Sequence, residues 1–127
     1  MIKEFIALPD QRIRQKSTEV LSFDKSLSDL VDNLVETAEA QENPPALGLA
    51  ACQIGVFRQV FVAKIQSKFR TFANARIIKK SKQEIPLLEG CFSTPGIYGH
   101  VTRASKITVE AQDKSGKKFK RSYKELP

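Results

Sequence analysis

The apolar residues Leu27, Leu30, Val31, Leu34, Val35 and Ala38 recur at the i, i+3, i+4, i+7 spacing of a helical stripe, and past Pro44-Pro45 strand-like runs replace that spacing. A chain whose hydrophobic period changes in this way has one helix face to bury against sheet. That makes it α+β, with an N-terminal amphipathic helix and mostly antiparallel strands. Ser26 and Asp29 fit a capping pair at the helix start, where Asp29 and Asp32 would complement the dipole. Pro44 and Pro45 are expected to stop the helix.

Among the later runs, Val60-Phe61-Val62-Ala63-Lys64-Ile65 is β-branched and aromatic, and Ile107 to Ala111 alternates apolar with polar residues. Asp113-Lys114-Ser115-Gly116 carries turn residues, so Lys117 to Tyr123 is expected to return as the second strand of a hairpin. With no repeat and no linker-like stretch, residues 1–127 read as a single domain. No apolar run approaches the ~18 residues that a membrane helix needs. The opening MIKEFIALPD lacks the apolar block of a signal peptide, so a cytoplasmic protein without a membrane partner is expected. Two cysteines, Cys52 and Cys91, speak against a disulfide scaffold.

A net charge of +7 accumulates late in the chain, at Lys79, Lys80, Lys82, Lys114, Lys117, Lys118, Lys120, Arg121 and Lys124. Such residues can bind RNA through counterion release. Without interleaved aromatic platforms, a solvated strand surface is the preferred expectation.

Two segments carry candidate chemistry. In Leu47-Gly48-Leu49-Ala50-Ala51-Cys52-Gln53-Ile54-Gly55 the small residues permit close backbone approach, by a ligand or by another strand. Gln53 offers an amide to an oxygen gaining negative charge, or simply satisfies backbone groups. If the segment is extended, Cys52 and Gln53 point to opposite sides. In Glu89-Gly90-Cys91-Phe92-Ser93 the cysteine is either a thiolate for metal or nucleophilic chemistry or a buried inert side chain.

Together these segments resemble two motifs of the peptide deformylases, in order. The family's G-Φ-G-Φ-A-A-x-Q, where Φ is apolar, matches Ala46 to Gln53 except at its first glycine. Its E-G-C-Φ-S matches Glu89 to Ser93 throughout. The resemblance implies metal-dependent hydrolysis of the N-formyl group from formyl-methionyl polypeptides. The metal would be Fe2+, or Ni2+, Co2+ or Zn2+. It implies Cys91 as a metal ligand and Gln53 with the Phe92 backbone N–H as oxyanion donors. Glu89 would hold the site in shape, and Gly48, Leu49, Gly90 and Arg103 would contact substrate. The formyl-Met peptide and the ribosome are the implied partners.

The family's third motif, H-E-x-x-H, supplies two histidine ligands one helical turn apart. It is absent here, because the only histidine is His100, which matches no ligand position. A catalytic site of this kind needs three protein ligands. The expectation is therefore a C-terminally incomplete deformylase-like domain without the metal-binding helix. It would be inactive alone, with little stable metal binding and with a complementing chain or self-association covering the gap. The competing readings are a non-catalytic peptide-binding module, a ribosome- or RNA-associated remnant, and a cysteine hydrolase pairing Cys91 with His100.

Overall fold

The structure is a computed structural model that describes residues 2–5, 15–42, 45–82, 84–91, 94–104 and 106–124. For 84–91, 94–104 and 124 it describes the backbone alone. The helix expected from the apolar stripe is α1, Lys25–Glu39. Leu27, Leu30, Val31, Leu34 and Ala38 are buried along it, while Val35 is half-buried at the rim.

The helix termini differ from the sequence expectation. The N-cap is Asp24, whose carboxylate accepts from the Leu27 N–H at 3.2 Å and from the Ser26 hydroxyl at 2.8 Å. Those bonds, the Ser26 one foremost, hold the Asp24 carboxyl below its ordinary value. Ser26 thus lies inside the first turn as a donor, and that turn contains no acid, because Asp29 and Asp32 fall further along. The far end closes at Glu39, ahead of the prolines. There the Gln41 amide donates to the Thr37 carbonyl at 3.0 Å and satisfies a group that the ladder leaves open. Pro44 lies outside the described residues.

Beneath α1 lies a five-stranded antiparallel sheet built from β1 (Gly48–Ala50), β2 (Val60–Ile65), β3 (Lys68–Lys80), β6 (Lys106–Gln112) and β7 (Lys118–Lys124), in the spatial order β1-β2-β3-β6-β7. A separate hairpin pairs β4 (Glu84–Cys91) with β5 (Thr94–Ala104). The expected α+β architecture with antiparallel pairing is thus observed. Leu49, Val60 and Val62 meet Leu27 and Leu34 in the first core. Each such buried side chain contributes about 1.5–3 kcal/mol. On the other face, Phe72 stacks on Phe61 at 4.9 Å and meets Phe119 edge-on at 5.5 Å, in a second core with Val109 and Ala111.

Asn74 explains how β3 serves both cores. It sits at positive φ (51°) where the β3–β6 register shifts. Its side-chain oxygen accepts from the Val20 N–H at 2.7 Å, and its amide donates to the Val20 carbonyl and to Gln112 Oε1. Asparagine tolerates this backbone, and its amide replaces the ladder bonds that the irregularity removes. The β2–β3 connection is a two-residue turn, Gln66-Ser67, with φ of 50° and 69°. That is the twist-matched hairpin geometry, made here without the usual Asn-Gly.

Two outcomes follow. Asn74→Ala places a β-carbon in left-handed backbone and orphans Val20, so urea denaturation should show a loss of about 2–3 kcal/mol. Ser67→Gly relieves positive φ at no cost in contacts and should raise stability by about 1 kcal/mol in the same assay.

Candidate functional site

The first candidate segment is divided between an edge strand and a tight turn. Gly48, Leu49 and Ala50 pair with Ala63, Val62 and Phe61, and the Lys64 N–H donates to the Leu47 carbonyl at 2.8 Å. Bonded pairs alternate in an antiparallel ladder, so Leu49 turns its main chain to Val62, while Gly48 and Ala50 turn theirs to the open side of β1. The Leu49 side chain is in the core, at 2% exposure. Of the two residues in this strand expected to meet a substrate, Gly48 therefore presents backbone at the sheet edge, and Leu49 anchors the strand from below. A β-carbon at Gly48 would approach the Val62 carbonyl to 3.3 Å, which accounts for a small residue there.

Past Ala50 the chain leaves the extended conformation. Ala51–Ile54 form a 3-10 turn ended by Gly55 at φ 83°. The expectation that Cys52 and Gln53 alternate across a strand fails for this reason, because residues in a 3-10 turn are about 120° apart rather than opposed. The turn brings Gln53 back onto its own strand, where Gln53 Oε1 accepts from the Ala50 N–H at 2.9 Å. Cys52 is a half-buried free thiol beside a cavity of about 190 Å³ that Arg58 and Phe61 also line.

The second segment lies in the β4–β5 hairpin. Glu89 pairs with Gly99, Gly90 with Tyr98 and Cys91 with Thr94, with the register shifting between Gly90 and Cys91. Cys91 therefore sits at the turn end of the hairpin, at an irregularity that redirects the chain. Arg103 pairs with Ile85. The backbone thus sets Arg103 apart from Cys91 by roughly 20 Å of strand at about 3.3 Å per residue. His100 pairs with Leu88, not with Cys91. Phe92, expected to donate its backbone N–H, lies outside the described residues.

His100 is the only histidine of the 127 residues. Among the described residues no three His, Cys, Asp or Glu side chains gather to hold an ion. Nor, among them, is any helix long and apolar enough to cross a membrane.

The polypeptide deformylase family model matches residues 2–127. This chain belongs to the polypeptide deformylase family. The peptide deformylase of Rhizobium meliloti is 36% identical over 121 residues, which cover 91% of this chain and 68% of that protein. That of Nitrosococcus oceani is 37% identical over 129 residues, covering 98% and 74%. The crystal structure of a peptide deformylase from Legionella pneumophila superposes with a TM-score of 0.90 at 35% identity, over 99% of this chain and 74% of that one. A deformylase from Ehrlichia chaffeensis in complex with actinonin gives 0.90 at 29% identity, over 97% and 75%. Family membership ties the chain to protein biosynthesis and to formylated peptides as the family's substrates. The helix, the edge strand β1 and the five-stranded sheet are thus the deformylase arrangement.

Of the two sequence readings of Gln53, the one in which it satisfies a backbone group is observed, although Ala50 as its partner was not foreseen. The only signal for it was a glutamine three residues past the end of a short strand. Replacing Gln53 by Met keeps length and removes the acceptor. Hydrogen exchange at the Ala50 amide should then accelerate about fivefold, the equivalent of one lost bond of about 1 kcal/mol.

Proposed function

We propose that these residues form the peptide-holding and oxyanion-stabilising part of a deformylase site. The open side of β1 takes the formyl-methionyl peptide as an added strand, through the main chain of Gly48. The Gln53 amide and the Phe92 N–H donate to the formyl oxygen as it gains negative charge, each donor being worth about 3 kcal/mol of barrier. Cys91 contributes one thiolate ligand, Glu89 keeps the strand around it in shape, and Gly90 and Arg103 extend the substrate contacts. The observation that carries this reading is the placement of Gln53. Its Oε1 accepts from the Ala50 N–H at 2.9 Å, which ties the Gln53 side chain to the end of β1 and supports a role for its amide there.

The reading stops short of a complete metal site. The family's metal, iron or a divalent substitute, activates the attacking water when bound. The 127 residues contain one histidine, His100, and so cannot supply the two ligands of an H-E-x-x-H helix. No step through a metal is assigned to them. A complete site would need further ligands from outside these 127 residues. A cleft of about 720 Å³, lined by Val35 of α1 and by Phe69, Phe119 and Tyr123, offers a seat for a segment that carries them. The Tyr123 hydroxyl is buried without a hydrogen-bond partner among the described residues, and an incoming polar group would satisfy it.

The test is a titration of isotope-labelled chain with an N-formyl-methionyl peptide, followed by amide NMR. Shifts concentrated at Gly48 to Gln53 and unchanged by chelator are expected. Saturable binding that leaves those amides unmoved would contradict the reading.

A further inference from the structure

The sequence pattern favoured a solvated face for the late basic residues, but the strand register organises them into one surface. Along β3, β6 and β7, Arg76 stands opposite Glu110 and Glu110 opposite Lys120, while Lys79 stands opposite Thr108 and Thr108 opposite Ser122. The Arg76–Glu110 ion pair at 3.1 Å and the Thr108–Ser122 hydrogen bond at 2.9 Å show that these side chains share one face. Lys106 and Lys118 fall on it by alternation. The opposite face of the same strands carries the buried Val109 and Ala111.

Arg76, Lys79, Lys106, Lys118 and Lys120 are all exposed, and the one acid among them, Glu110, is already paired with Arg76. The exposed acids Asp29, Asp32, Glu36 and Glu39 lie on α1 instead, so charge is segregated by element. Lysines on an edge strand are often a guard against edge pairing. That explains Lys118 and Lys120 on β7, but not Arg76, Lys79 and Lys106, which lie on the interior strands β3 and β6.

We propose that this three-stranded face binds the phosphate backbone of RNA. The face is broad enough to follow a strand of phosphates, and its hydroxyls, Thr108 and Ser122, are of the type that donate to phosphate oxygens. With no aromatic residue among those named here for bases to stack on, recognition is of charge and not of sequence. This surface is separate from the open side of β1, which lies at the other end of the sheet order.

The test is fluorescence anisotropy of the full 127-residue chain with a labelled single-stranded RNA. With Arg76 paired to Glu110, engagement of about four phosphates by the lysines predicts a slope near −2.8 for log affinity against log salt, so roughly 50-fold weaker binding at 200 mM than at 50 mM salt. The double substitution Lys118→Gln with Lys120→Gln should flatten the slope by about 1.4. Lys25→Gln with Lys68→Gln lowers the net charge equally at exposed sites elsewhere and should leave the slope unchanged. Circular dichroism checks that both variants fold. Three results would overturn the proposal: no binding at 50 mM salt, equal loss in both variants, or equally tight binding to anionic phospholipid vesicles.

Discussion

The arrangement of the candidate site rests on how three residues of β1 are held. Leu49 is driven into the core against α1 and β2, and that burial fixes which side of the strand is paired and which is open. The 3-10 turn that follows lets Gln53 close back on Ala50. Without the apolar anchor below and the amide at its end, so short a strand would fray, since each end residue has few ladder bonds to hold it. The core stripe of α1 is therefore connected to the candidate site through Leu49. The helix supports the strand, the strand presents its edge, and the turn brings Gln53 back onto Ala50.

Much of this was legible in the sequence, and the failures have physical causes. The α1 stripe and β2 were readable because both bury one continuous face. The β6–β7 hairpin was readable because Asp113 to Gly116 carry turn chemistry; the Gly116 N–H donates to the Asp113 carbonyl, and Gly116 takes φ of 89°. The helix start was placed two residues late, because Asp24 and Ser26 are both competent caps and only the chain's entry path chooses between them. The length of β3 was hidden by its irregularities, which break alternation at Asn74 and again between Ile77 and Lys79. Its opening hairpin was hidden because Gln66-Ser67 adopts a turn usually written Asn-Gly.

At the site, motif residues were found by resemblance, whereas their geometry was not. Gln53 was visible as an amide, but its bond to Ala50 depends on the chain leaving the strand at Ala51, which small residues alone do not announce. The hairpin carrying Cys91 was recognised as a motif and not as paired strands, since Gly90, Pro95, Gly96 and Gly99 weaken any strand pattern.

The central claim is that the 127 residues hold a peptide edge and oxyanion donors but not a full set of metal ligands. The most direct measurement is formate release from an N-formyl-methionyl peptide by this chain with Fe2+ added under anaerobic conditions. The account predicts release at the uncatalysed rate. Turnover at the 1–10³ s⁻¹ typical of enzymes would contradict it, because a three-ligand site would then exist among residues that contain a single histidine.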